Sequence, residues 1–190
     1  DSVGVVIGTG AGGGVLSNEL AQKGFSVVAL AAGDRHYPED FINDEWESFG
    51  QLAWTDARTT SGDWRVAKDF AGLPAWIVKS VGGTTQHWAG ASLRFQEHEW
   101  KAKTTYGEVA GASLLDWPID AAEMDPWYTK AENKLQVTRT GNRPGLPGNN
   151  NFRVFEKGAK ALGYKNVHTG RMAIASREDS DRIMCQQTGF

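Results

Sequence analysis

The sequence holds a single cysteine, Cys185, in 190 residues. One thiol excludes an internal disulfide and says little about redox compartment. No run of about 18 apolar residues occurs, so no transmembrane helix is expected. Lysine and arginine are scattered and the net charge is -3, which argues against a nucleic-acid partner. The start of the chain shows no basic region followed by an apolar core and cleavage site, so no targeting signal is visible. Only four histidines are present, and none has metal-ligand spacing, so no metal site is expected. The chain opens on Asp1 rather than methionine, and is expected to be a trimmed or partial chain.

Tryptophan, by contrast, is abundant. The eight residues fall at 46, 54, 64, 76, 88, 100, 117 and 127. Three consecutive gaps of 12 suggest a repeat, but the surrounding residues do not recur, so no solenoid or propeller is expected. Core and interface packing is the simple reading, with sugar stacking as the alternative.

Val3 to Ile7 is an apolar run that ends in a glycine cluster, and it reads as a buried strand. Val15, Leu16, Leu20 and Ala21 then sit at helical spacing between Gly13 and Lys23, with Gly24 in the terminating position. Ser26 to Leu30 reads as a second buried strand. Strand, helix and strand within about thirty residues make a βαβ unit with parallel strands. Residues 34 to 75 are polar and irregular, with a helix expected over 39–52. "AWIVKS" reads as an extended segment. Asp120 to Val137 is expected to be helical in two pieces, opened by a capping box of Asp120 with Glu123 and restarted at Pro126. Trp127, Tyr128, Ala131 and Leu135 would share its apolar face. "TGNRPGLPGNNN" reads as a loop. Phe152, Phe155, Ala159 and Leu162 mark a last amphipathic helix closed by Gly163. The tail from Ser176 shows no periodicity.

Gly8, Gly10 and Gly13 form a G-x-G-x-x-G turn between the first strand and the first helix, the context that gives this motif meaning. Gly8 would permit the tight turn. Gly10 would admit a pyrophosphate against the backbone, and Gly13 would let helix approach strand. The helix N-terminus offers free N–H groups and partial positive charge to phosphates. An acidic residue is expected at the end of the second strand to hold ribose hydroxyls, yet Ala31 stands there. Hydrogen bonds to a charged group contribute about 1.5–3 kcal/mol, so this loss could weaken adenosine binding roughly ten- to a hundredfold. A second glycine loop, "VGGTTQHWAG", follows at residues 81 to 90.

The glycine turn, "ALAAGDRH", "SVGGTTQHWAGASLRF" and "LLDWPIDAAEMDPWYTKAENKL", taken in order, resemble the glucose–methanol–choline (GMC) oxidoreductases. The similar branch is the bacterial one related to gluconate and FAD-dependent glucose dehydrogenases, and to pyranose oxidase. The resemblance implies an α/β, Rossmann-like FAD-binding domain, incomplete here and carrying irregular and helical insertions. Residues 1–137 would be its N-terminal part, and 138–190 a linker, a helix and the start of the following region. FAD is the implied cofactor. Gly8, Thr9, Gly10, Ala11, Gly12 and Gly13 would cradle its pyrophosphate, with Ala31 in the ribose position. Val81, Gly82, Gly83 and Thr84 would pass close to the flavin, and Trp88 and Ala89 would lie beside its ring. His87 falls where pyranose oxidase bonds its flavin covalently. It is expected to be a covalent tether or a non-covalent flavin contact, with a structural histidine as the remaining alternative. A tether would make Ala31 tolerable.

The implied activity is oxidation of a CH–OH group of a sugar, sugar acid or alcohol by hydride transfer to flavin N5. The catalytic base of such enzymes lies near the C-terminus, so no catalytic residue is assigned here. The chain is expected to be the N-terminal portion of a longer enzyme and inactive alone. His36, His98 and His168 are expected at the surface or in loops. Cys185 reads as an ordinary thiol, or as one ligand of an iron–sulfur cluster that would need further thiolates. An electron-transfer subunit is a further implied partner, and localisation is open between bacterial cytoplasm and periplasm. The rival readings are an NAD-dependent dehydrogenase, a nucleotide-binding fragment without activity, and a carbohydrate-binding surface built on the tryptophans.

Overall fold

The computed structural model describes residues 3–40, 44 and 80–175, without the side chains of Pro38 and His87. The helix expected over 39–52, most of "AWIVKS", the first four tryptophans, the tail and Cys185 lie outside the described residues. The chain forms two compact units. One comprises Asp1–Ala89 with Gln187–Phe190, the other Gly90–Gln186.

The first unit opens with strand β1 (Val3–Ile7), helix α1 (Ala11–Gln22) and strand β2 (Ser26–Leu30). The strands pair in parallel, with Val3 opposite Ser26 and Ile7 opposite Leu30. This is the expected βαβ unit, and it gives the chain its α/β character. Gly24 ends the helix in the left-handed conformation, φ 84°, which glycine adopts without a side-chain penalty.

Burial departs from expectation. Val6 is buried, but Val5 is 60% and Ile7 87% exposed. The sheet has two strands among the described residues. A two-stranded ribbon has only edges, and one helix covers only part of one face, so an apolar strand in it stays open.

The second unit contains α2 (Glu97–Trp100), α3 (Ala102–Tyr106), α4 (Ala121–Leu135) and α5 (Asn150–Ala161). Side chains cap the two longer helices: Asp120 accepts from the Glu123 N–H at 2.9 Å, and Asn149 accepts from the Phe152 N–H at 2.9 Å. The expected restart at Pro126 is corrected, because α4 runs through it unbroken. Proline there forgoes one N–H near the start of the helix, and the remaining ladder continues.

The buried line of α4 is also not the expected apolar one. Trp127, Ala131 and Leu135 are exposed, whereas Glu132 and Gln136 are buried. The cause is a cluster of arginines. Arg94 makes a bidentate pair with Glu132, at 2.7 and 2.6 Å, and also bonds Asp125 and Thr129. Arg171 reaches the same carboxylate at 3.1 Å. Hydrogen bonding from Arg94 holds the Glu132 carboxyl below its ordinary value, and raises Arg94 above its own. Trp100, 4% exposed, packs against Phe95, Trp117 and Tyr128 with ring centroids 5.3 to 6.4 Å apart. Backbone bonds tie the segments together: Ala173 N–H to Gly90 O, Ser92 N–H to Arg171 O, and Thr138 N–H to Met172 O. Helix α5 keeps its expected amphipathic sequence, but Phe155 on it and Leu162 just past its end are exposed.

Candidate functional site

The two glycine turns, far apart in sequence, meet in the first unit. The first turn begins where β1 ends. Gly8 takes φ 94°, and its N–H donates to Leu30 O at 2.8 Å, which fixes the turn to the end of β2. A β-carbon on Gly13 would lie 1.8 Å from Gly8 O and 3.2 Å from a methyl of Val6. Only glycine lets α1 start this close to the strand.

Beyond β2, Asp34 pairs with Ser80 in a parallel bridge, and Asp34 O accepts from the Val81 N–H at 2.9 Å. This seats the second turn, which continues as the 3-10 turn Gly83–His87. Gly82 and Gly83 take φ 101° and 57°, a region side chains disfavour. The Gly82 N–H donates to Thr9 Oγ1 at 3.0 Å. A β-carbon on Gly83 would lie 3.3 Å from Gly10 Cα, and one on Gly10 would lie 3.8 Å from Gly82 O. Thr9 and Gly10 are thus in direct contact with Gly82 and Gly83.

The start of α1 differs from those of the other long helices. Its N-cap, Gly10, supplies no side chain, and its first turn has no acidic residue. Among the described residues, the N–H groups of Ala11, Gly12 and Gly13 have no backbone acceptor. Nothing lies within 4 Å of a β-carbon placed on Gly12. A helix end with free donors, no counter-charge and open space beside it suits an anion.

Comparison with known proteins finds relatives at 24–31% identity. Over 193 residues, 98% of the chain, it is 31% identical to paromamine 6'-oxidase of Streptomyces fradiae. It is 26% identical to the fructose dehydrogenase large subunit of Gluconobacter japonicus over 95% of the chain. Over 67% of the chain it is 24% identical to the gluconate 2-dehydrogenase flavoprotein of Pantoea cypripedii. The chain is related to the GMC oxidoreductases. It covers 33%, 38% and 24% of those three proteins, respectively, so it spans about a third of the length of the first two. No family model matches it.

Of the positions that the GMC resemblance singles out, Thr9 and Gly10 of the first turn meet Gly82 and Gly83 of the second through the contacts above. Ala31 directly follows β2 and is exposed. His87 closes the 3-10 turn, while its side chain lies outside the described residues. Trp88 continues the same segment, its N–H donating to Thr85 O at 3.1 Å, and Ala89 follows. No cluster of three or more potential metal ligands occurs among the described residues, and no helix there is long and apolar enough to cross a membrane.

Sequence reasoning missed Gln86. Its Nε2 donates to Val81 O at 2.7 Å, closing the loop on itself. A β-carbon on Gly82 would lie 2.8 Å from that same nitrogen. The glycine pair therefore makes room for a glutamine as well as for the neighbouring turn, and nothing in "GGTTQHW" marks which side chain closes the loop.

Proposed function

We propose that this chain forms the FAD-binding part of an oxidoreductase acting on the CH–OH group of a sugar, sugar acid or alcohol. The observation that carries the reading is the contact of Thr9–Gly10 with Gly82–Gly83 beside an uncapped helix start. An NAD site needs the first turn alone, and the second turn suits the larger flavin. The names of the relatives, among them two sugar-related dehydrogenases, one of which is a flavoprotein, support the same class.

In this reading the domain is Rossmann-like. The N–H groups of Ala11, Gly12 and Gly13 bind the pyrophosphate, aided by the partial positive charge of α1. Gly10 keeps the space beside them free of a β-carbon. Val81, Gly82, Gly83 and Thr84 line the flavin side, with Trp88 and Ala89 next in the chain. Ala31 leaves the ribose without a carboxylate partner, so retention depends on the phosphates and on the second turn. Bound FAD supplies a hydride acceptor for oxidation of the carbinol carbon.

The test is anaerobic addition of sugars, sugar acids and alcohols to the purified full-length protein. A flavin absorption band that bleaches with one of these donors is the expected result. Turnover that needs NAD and shows no flavin band contradicts the reading. His87 contacts the flavin in this account, either as a covalent tether or without a bond. Acid precipitation separates the two: yellow colour in the pellet means a tether, and colour in the supernatant a non-covalent contact.

A further inference from the structure

The Gly82 N–H has one acceptor, Thr9 Oγ1, at 3.0 Å, across 73 residues of sequence. We propose that Thr9 is a positioning residue whose hydroxyl latches the second glycine turn onto the first, so that the crevice is assembled before a nucleotide enters. The inference rests on the reading of the crevice as an FAD site, but its structural half stands apart from it.

The second turn has two kinds of support. At its start, backbone holds it: Val81 N–H to Asp34 O, within the Asp34–Ser80 bridge. This bond survives any side-chain change. The next residue, Gly82, is held to the first turn by a side chain. Gln86 braces the loop internally through Val81 O, so it shapes the turn without fixing it to the first one. Gly83 lies against Gly10 by a close approach, with no hydrogen bond to enforce it. Thr9 Oγ1 therefore makes a side-chain hydrogen bond that joins the two turns directly. The hydroxyl oxygen accepts here.

A hydrogen bond of this kind biases an equilibrium between seated and unseated turns. Ligand affinity falls in proportion to the fraction of molecules whose turn is seated. A neutral bond has a modest net worth, so the expected loss of FAD affinity on removing the acceptor is about tenfold. Thr9→Val keeps the β-branched shape and puts a methyl where the oxygen accepts. Thr9→Ser keeps the oxygen.

The experiment measures amide exchange at Val81 and Gly82 in the full-length protein freed of nucleotide, then FAD affinity by fluorescence titration. In the wild type and in Thr9→Ser, Gly82 is expected to be protected without ligand. In Thr9→Val, Gly82 should exchange at least about tenfold faster while Val81 stays protected, and FAD should bind about tenfold more weakly. Unchanged Gly82 exchange in Thr9→Val overturns the latch. Loss of protection at both amides overturns it too, because the turn would then unfold as a unit. Faster exchange with unchanged FAD affinity overturns the positioning role. A wild type that binds no FAD contradicts the functional reading instead, and leaves the exchange result to decide the latch.

Discussion

A β-carbon on Gly13 would lie 1.8 Å from the carbonyl oxygen of Gly8. The obstacle is backbone, so no rotamer relieves it, and α1 would have to move off β1. Gly13→Ala is expected to destabilise the protein by about 3 kcal/mol, at the upper end for overpacking. Gly12→Ala faces open space in the first turn of the same helix. It should hold or raise stability by up to about 1 kcal/mol through helix propensity. Urea denaturation of both variants checks the pair, and equal losses would show that the helix–strand distance is not what requires glycine.

Gly10 separates folding from binding. Its backbone is extended, with φ -66°, and an added β-carbon makes only an ordinary 3.8 Å contact with Gly82 O. Gly10→Ala should leave stability within about 0.5 kcal/mol. It should nevertheless weaken FAD binding about tenfold or more, because the methyl group occupies space that the pyrophosphate needs. Denaturation and FAD titration on the same preparation measure both effects.

Glu132 gives the second unit an acid-sensitive joint. Its carboxyl is held below the ordinary value of 4.5 by hydrogen bonds from Arg94, with Arg171 adding to the effect. A folded-state pKa below the unfolded one means that the stabilisation is complete above about 4.5 and is lost as pH falls through the folded value. Glu132→Gln leaves Arg94 and Arg171 without their shared charge partner. These arginines are partly solvated, at 24% and 38% exposure, so the cost should be about 2 kcal/mol, below that of a fully buried pair. At neutral pH the thermal midpoint should fall by about 4–8 °C, and the gap to the wild type should narrow in acid. A gap that does not change with pH would contradict the joint.

The tryptophans divide by burial. Trp100→Ala removes the centre of the Phe95, Trp117 and Tyr128 cluster and should cost about 3–5 kcal/mol. Trp127, 61% exposed, should tolerate alanine within about 0.5 kcal/mol. Denaturant midpoints measured at constant slope check both.

What was legible in the sequence is local. β1, α1 and β2 follow from short apolar runs, helical spacing and Gly24, and the structure has them at nearly the expected limits. The roles of Gly8 and Gly13 in the turn were also legible, since φ and helix–strand distance are set within a few residues. Pairings over long distances were not. The apolar spacing of α4 points to Trp127, Ala131 and Leu135, but the buried side chain is Glu132, because arginines 38 and 39 residues away converge on it. Likewise, Thr9 carries no sign of Gly82 as its partner, since a hydroxyl beside a glycine serves equally well in water. Strand burial is not legible for a related reason: an apolar run shows that a strand can be buried, not how many neighbours cover it, and the described sheet has two members.

The most direct test of the account is titration of the nucleotide-free, full-length protein with FAD and, separately, with NAD. Tight FAD binding, with a shifted flavin spectrum and protection at Gly82 and at the start of α1, is the expected result. NAD binding without FAD binding, or FAD binding that leaves both glycine turns unprotected, would contradict it.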